Sequence, residues 1–305
     1  GICVKTNNAS SVKADTEYIN VSDYEELKSQ ILSKSEKIAL SNDIVIPSDS
    51  INPGEFFFEL DYNLELNGNG YVLQVEKTGF DENGYFNSNP DMCTIFNVNG
   101  CELTLENITI RGGSMSAIYI NCDSYLKVLN STIEQTGSKE YSCSGFENSG
   151  GYVYMKDSKL SRNGGEYGGG FANESGWVIM ENCSLNENRS LGALGGGGGC
   201  EDNGEGILIM NNCTIANNLS TEIGGGINNY ESFVTLMNCT VVGNSTNRSL
   251  DYGGGVGVNG GFLNTYNTVL TNNYYIGGNF TYQSDIGLAG WSYNPEAPET
   301  PPINS

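Results

Sequence analysis

No histidine occurs anywhere in the chain. That omission removes the usual base of a Ser-His-Asp or Cys-His nucleophile and the commonest zinc ligand. A lyase would need a cation beside the abstracted proton, and the repeats offer Arg111, Arg162, Arg189 and Arg248. All four fall in turns, where solvation is the ordinary role of an arginine. The nine cysteines, at 3, 93, 101, 122, 143, 183, 200, 213 and 239, contain no CxxC pair. They are expected to be buried free thiols acting as small core residues, ahead of inter-coil disulfides or a metal site. The acidic stretches Asp81–Gly84 and Glu201–Glu205 offer oxygens to calcium, but neither matches a dedicated calcium loop, and turn chemistry alone favours such residues. No catalytic residue, metal ligand or cofactor is therefore assigned, and calcium is the one ion left open.

The other chemistry is apolar. Tyr125, Tyr152, Trp177, Phe233 and Phe262 recur in one sequence column with Ile207, and two residues later come Tyr154, Ile179 and Ile209. Aromatic side chains in this number either satisfy β-propensity beneath a covering segment or form an outward stripe that stacks on sugar rings or meets another protein. The candidate binding residues are accordingly Tyr125, Tyr152, Tyr154, Trp177, Phe233 and Phe262.

Their spacing is set by a repeat. A frame of apolar-x-apolar-x-Asn-x-x-aliphatic returns at Asn107, Asn130, Asp157, Asn182, Asn212, Asn238 and Asn267, 23 to 30 residues apart. Leu103, Leu126, Val153, Val178, Leu208, Val234 and Leu263 stand four before the asparagine, and a second apolar column stands two before. Alternation of period two marks strands with one buried face. The aliphatic residue three after the asparagine starts a second strand. Four copies carry a glycine triplet about fourteen residues upstream, at Gly168–Gly170, Gly197–Gly199, Gly224–Gly226 and Gly253–Gly255. With no helix in the repeat, the economical packing stacks each strand on its own copy in the next coil. The expected fold is all-β, a parallel β-helix, right-handed by the crossover rule. The asparagines are read as a buried structural ladder bonding amide to amide and to the bend. On that reading the Asn-x-Ser/Thr sequons at Asn107, Asn130, Asn182, Asn212 and Asn238 cannot carry glycans, whereas Asn173, Asn188, Asn244 and Asn247 lie in or near turns and can.

Domain organisation follows from where the repeat runs. Residues 1–20 read as a polar leader or linker, 21–92 as an N-terminal cap with the first irregular coils, 93–291 as regular coils and 292–305 as a proline-rich linker. Ser22-Asp-Tyr-Glu25 reads as a capping box opening a short helix, with Tyr24, Leu27, Ile31 and Leu32 as its apolar face, to close the first coil. The formal charge of −22, without a basic cluster, argues against nucleic acid, anionic membranes and polyanionic substrates unless a divalent cation bridges them. No run of eighteen apolar residues is present, so no transmembrane helix and no direct membrane insertion are expected.

A capping helix followed by IALSNDIVI and LELNGNGYVL resembles the entry of pectate-lyase-like β-helices of secreted adhesins. The later copies are similar to repeats of chlamydial-type polymorphic outer-membrane proteins, whose signatures are GGA-aliphatic and FxxN. Here these stand as Gly224-Gly-Gly-Ile227 and Gly253-Gly-Gly-Val256, and as Leu185-x-x-Asn188, Ile215-x-x-Asn218, Val241-x-x-Asn244 and Leu270-x-x-Asn273. Glycine replaces the alanine, an aliphatic replaces the phenylalanine, and no membrane barrel follows. The resemblance implies an extracellular or cell-surface adhesin-like protein, and it implies that glycine triplets leave the outer surface of their sheet blank. The expected partner is an extracellular glycan or surface protein. A self-assembling subunit of an extracellular layer or fibre is the alternative, and a polysaccharide lyase or hydrolase comes third.

Overall fold

The computed structural model describes residues 17–50, 55–76, 93–137, 144–191, 197–248 and 253–288. The suggested leader to residue 16, the Asp81–Gly84 turn, Cys3, Cys143 and the proline-rich tail lie outside the described residues. The chain winds as a parallel β-helix with four sheets of ten, nine, nine and six strands. Strands of the ten-stranded sheet I, such as Trp177–Glu181, are followed by sheet II (Ser184–Asn186), sheet IV (Arg189–Ser190) and sheet III (Cys200–Asn203) before the chain re-enters sheet I at Ile207–Asn211. Among the described residues the strands of successive coils pair in register and parallel, apart from the final hairpin, Tyr274–Gly277 against Phe280–Gln283; one isolated antiparallel bridge joins Tyr230 and Gly260.

The core is made of stacked identical positions. Val178 lies on Leu208 and Met180 on Met210 in sheet I, Leu185 on Ile215 in sheet II, and Phe146 on Phe171 in sheet III, all fully buried. The two phenylalanine rings lie 4.8 Å apart at an interplanar angle of 4°. Each such side chain contributes roughly 1.5–3 kcal/mol by leaving water. The glycine triplets sit between sheets IV and III, where coils approach too closely for side chains. A Cβ on Gly169 would meet the Gly198 carbonyl oxygen at 2.0 Å, and one on Gly198 would meet that of Gly225 at 2.2 Å.

Corners depend on single residues in the left-handed region. The column expected to be a buried ladder, Asn107, Asn130, Asp157, Asn182, Asn212, Asn238 and Asn267, turns sheet I into sheet II with φ between 46° and 56°. Asn107 is half-buried and the other six are exposed. The reading of a buried ladder is corrected: asparagine is selected here because its short polar side chain tolerates this backbone conformation. Side chains in the column do bond along it, Asn182 to Asp157 at 3.0 Å and Asn212 to Asn182 at 2.7 Å, but in contact with solvent.

The buried ladder lies six residues later. Asn163, Asn188, Asn218, Asn244 and Asn273 are wholly enclosed. The Asn218 amide accepts from the Asn188 backbone N–H at 2.9 Å and from Asn188 Nδ2 at 3.1 Å, and donates to the Leu185 carbonyl at 3.1 Å and to Asn244 Oδ1 at 2.8 Å. These are the asparagines of the aliphatic-x-x-Asn motif. A second buried column in sheet III runs Asn148, Asn173, Asp202 and Asn229. The glycan expectation therefore changes at most positions: Asn173, Asn188 and Asn244 are enclosed and cannot carry a sugar, the corner sequons, apart from half-buried Asn107, face solvent, and Asn247 alone is exposed as expected.

The capping helix spans Tyr24–Leu32, one residue off the expected box: Asp23 is the N-cap, accepting from the Glu26 N–H, and Glu26 reaches back to the Ser22 N–H. Tyr24, Leu27 and Ile31 are buried, but Leu32 is 74% exposed and does not belong to the apolar face. Ile19–Val21 pairs with Lys37–Leu40, so Ile19 and Asn20, read from sequence as the end of a leader, belong to sheet I.

Candidate functional site

Sheet I presents the expected aromatic column. In-register parallel strands bring equivalent positions to one strand spacing, about 4.8 Å. Tyr125 and Tyr152 stack with centroids 5.1 Å apart, Tyr152 and Trp177 follow at 6.0 Å, and Phe233 and Phe262 stack at 5.1 Å. Ile207 bridges the two groups. Ring pairs of this kind add about 0.5–1.5 kcal/mol beyond area burial. The five aromatic residues remain 40–50% exposed, so no described residue covers them. Tyr154 lies one column further along the same face, beside Lys127 and Ile179, and donates to Glu181 at 3.1 Å. Its phenol is raised by burial and by that carboxylate. All six predicted binding residues thus share one face, which is bordered by Lys156 and Glu181 and, towards its N-terminal end, by Lys127, which meets Glu102 at 2.9 Å.

The outer face of sheet III was missed by sequence reasoning. It is not blank. The strands start after the glycine triplets, so Glu147, Ala172, Glu201 and Asn228 project outward in register, with Glu174 two residues beyond Ala172. Burial, with a contribution from Glu174, raises the Glu147 carboxyl to about 7. Burial raises Glu201 to about 7 against an opposing hydrogen bond from Asn203, with Asp202 and Glu174 adding to the rise. The alternation in Phe171-Ala-Asn and Cys200-Glu-Asp was the available signal. Glu201 and Asp202 accordingly belong to a strand, not to a calcium-type turn, and Asp202 points inward.

The expectation that all four arginines are solvated turn residues is corrected for Arg111, which lies in a strand and bonds the buried carboxylate of Glu134 at 2.7 Å. Arg189 is exposed but lies in a two-residue strand, whereas Arg162 and Arg248 are exposed bend residues as expected, reaching Glu134 at 3.1 Å and pairing with Glu222. All seven cysteines among the described residues are free thiols; six are buried and Cys122 is exposed. Cys183, Cys213 and Cys239 form one column in which Cys213 is pushed up to about 12 by its hydrogen bond with Cys183 and by burial. Among the described residues no three acidic or thiol groups converge as a cation site would require. A groove of about 550 Å³ follows the exposed corner past Asn130, Asp157, Asn182 and Asn212.

No protein-family model matches the chain, and no curated protein matches it. A solved structure, the crystal structure of the Dettilon tailspike protein, is similar with 13% identity and a TM-score of 0.25. The match covers 87% of this chain, which spans 64% of the tailspike chain.

Proposed function

We propose that this chain is an extracellular or cell-surface β-helix of adhesin-like character, whose sheet I docks a surface glycan or protein. The observation that supports this reading is the continuous apolar strip from Tyr125 to Phe262, aromatic in every coil but that of Ile207. Apolar residues scattered singly on a surface need no explanation, but six successive coils carrying one in the same outward column form a patch of the kind that marks an interaction site. Aromatic anchors also dominate binding energy where they become desolvated. The test is the double variant Trp177→Ser with Phe233→Ser, assayed on a glycan array and on whole-cell surface extracts. Binding falls at least tenfold while the melting temperature stays within a few degrees, because the buried columns are untouched. Full retention of binding moves the functional surface to the corners, and unfolding of the variant shows that the strip is part of the core.

A second reading, self-assembly into a layer or fibre, draws on the C-terminal end of the solenoid. Phe262–Tyr266, Val269–Thr271 and Ile286–Leu288 are the last strands of their sheets, and Phe280, Tyr282 and Leu288 are exposed beside them. Edges of this kind template pairing with another chain. A monomer in dilute solution that binds its target supports the first reading, whereas ordered polymers support the second.

A further inference from the structure

The corner between sheets I and II carries a second surface feature, apart from the aromatic strip. A groove of about 550 Å³ runs along it over four successive coils. At one strand spacing of about 4.8 Å per coil, the run from Asn130 to Asn212 is roughly 14 Å long, the reach of a short oligosaccharide. One side is formed by the corner residues Asn130, Asp157, Asn182 and Asn212, all exposed. The other is the first outward column of sheet II, Thr132, Lys159, Ser184 and Thr214, stacked in register and exposed or half-buried.

The two columns change character together in one coil. Elsewhere in the groove the pair is an amide and a hydroxyl, each of which donates and accepts. In the coil of Asp157 and Lys159 it is a carboxylate, which only accepts, and an ammonium, which only donates. Neither charge is neutralised within the fold. Asp157 Oδ1 accepts from Asn182 at 3.0 Å, while its Oδ2 and the Lys159 ammonium have no partner among the described residues. The hydroxyls of Thr132, Ser184 and Thr214 are likewise unengaged. Left-handed corners account for the asparagines and β-propensity for the threonines, but neither requires an acid and a base at the same level of the stack.

We propose that this groove binds a neutral, hydroxyl-rich glycan chain, with Asp157 and Lys159 gripping one sugar and the flanking amides and hydroxyls holding its neighbours. Asp157 Oδ2 accepts from sugar hydroxyls and the Lys159 ammonium donates to a hydroxyl or ring oxygen; hydrogen bonds to ionised groups are about twice as strong as neutral ones. Other ligand classes fit less well. A polyanion meets Asp157 and a chain of net charge −22, with Lys159 as the one cation lining the groove. An extended peptide adds to an open strand edge, whereas each sheet II strand along the groove is already paired on both sides. A divalent cation needs several converging oxygens, and no three acidic or thiol groups converge among the described residues. The site is separate from the strip of sheet I and stands whether or not that strip docks a partner.

The experiment is isothermal titration of the chain with neutral gluco-, xylo-, manno- and galacto-configured hexasaccharides. At least one binds with a Kd of about 1 mM or tighter. Asp157→Asn combined with Lys159→Thr gives this coil the residue types of its neighbours without altering net charge, so the melting temperature holds while affinity falls at least tenfold. Ser184→Tyr, an outward substitution that a strand favours, fills the groove and lowers affinity at least tenfold by bulk; it decides the matter should the double variant lose its circular dichroism spectrum. The Trp177→Ser, Phe233→Ser variant leaves this binding unchanged, so failure here is distinguishable from failure of the role proposed for sheet I. The proposal is overturned if none of the four hexasaccharides binds, or if either groove variant, correctly folded, binds like the parent. It is also overturned if the sheet I variant abolishes the binding, or if hexagalacturonate, an anionic chain, binds in preference to all four.

Discussion

Two columns of asparagine run six residues apart through this solenoid, the corner column from Asn107 and the inner column from Asn163, and they exist for different reasons. The corner column at Asn182, Asn212 and Asn238 faces solvent with positive φ, so the backbone conformation selects the residue. The inner column at Asn188, Asn218 and Asn244 is sealed from water, and each side chain there satisfies two backbone groups of the preceding coil, an N–H and a C=O, at once. Identical chemistry in sequence thus becomes conformational tolerance in one place and polar satisfaction in the other. A residue type repeating at coil spacing identifies a structural column without identifying what the column does.

The largest break in this comparison is expected from Asn218→Leu. It strands the Asn188 amide donors and the Leu185 carbonyl inside the core, at about 1–3 kcal/mol for each unsatisfied group, so a loss of roughly 3 kcal/mol or more is expected by urea denaturation. A loss below 1 kcal/mol would remove the distinction between the columns. Next comes Asn212→Val, where a β-branched residue is forced into the left-handed region; the cost is about 1–2 kcal/mol. Asn212→Gly sharpens the point, since glycine adopts that conformation freely and should stay within about 0.5 kcal/mol of the parent. Equal losses for valine and glycine would mean that the exposed amide bonds matter more than φ.

A continuous effect is expected from pH, through the one acid in the second buried column. Asp202 accepts from Asn173 at 2.6 Å, yet its Oδ2 has no partner, and burial raises it from 3.8 to about 7 against that hydrogen bond. The folded chain therefore holds a proton that the unfolded chain has released between about pH 4 and 7. The stability contributed by this group is fully present below pH 4 and is lost as pH rises through 7; Glu147 and Glu201 act in the same direction. Melting temperatures should fall from pH 5 to pH 8, and Asp202→Asn, which restores the residue found in neighbouring coils, should flatten that slope. A slope unchanged in the variant would assign it to the outward pair alone. The smallest effect is that of reductant, which should leave the melting temperature unchanged because the described cysteines are free thiols.

Much of the architecture was legible. Period-two columns such as Leu208 and Met210 give a strand with one buried face, and their recurrence gives in-register stacking, because only coil-on-coil packing buries every copy of the same position. The aromatic column was equally visible, since Tyr125, Tyr152 and Trp177 fall outside the buried phase of their strands. Less legible were the positions where sequence and environment are uncoupled. Glu201 and Asp202 are adjacent acids in a segment that reads as a turn, yet they lie on opposite faces of a strand.

The sequence by itself therefore determined the repeat, the strands and the residues that stack, because side-chain alternation along a strand is a local property of the backbone. Tertiary structure decided which asparagines are buried, which carboxyls lose their water and which face stays open. Those outcomes depend on the left-handed corners and glycine contacts, which set where each coil turns and how closely the next one lies against it. Solvent access is a property of the stacked assembly and is not encoded in any single coil.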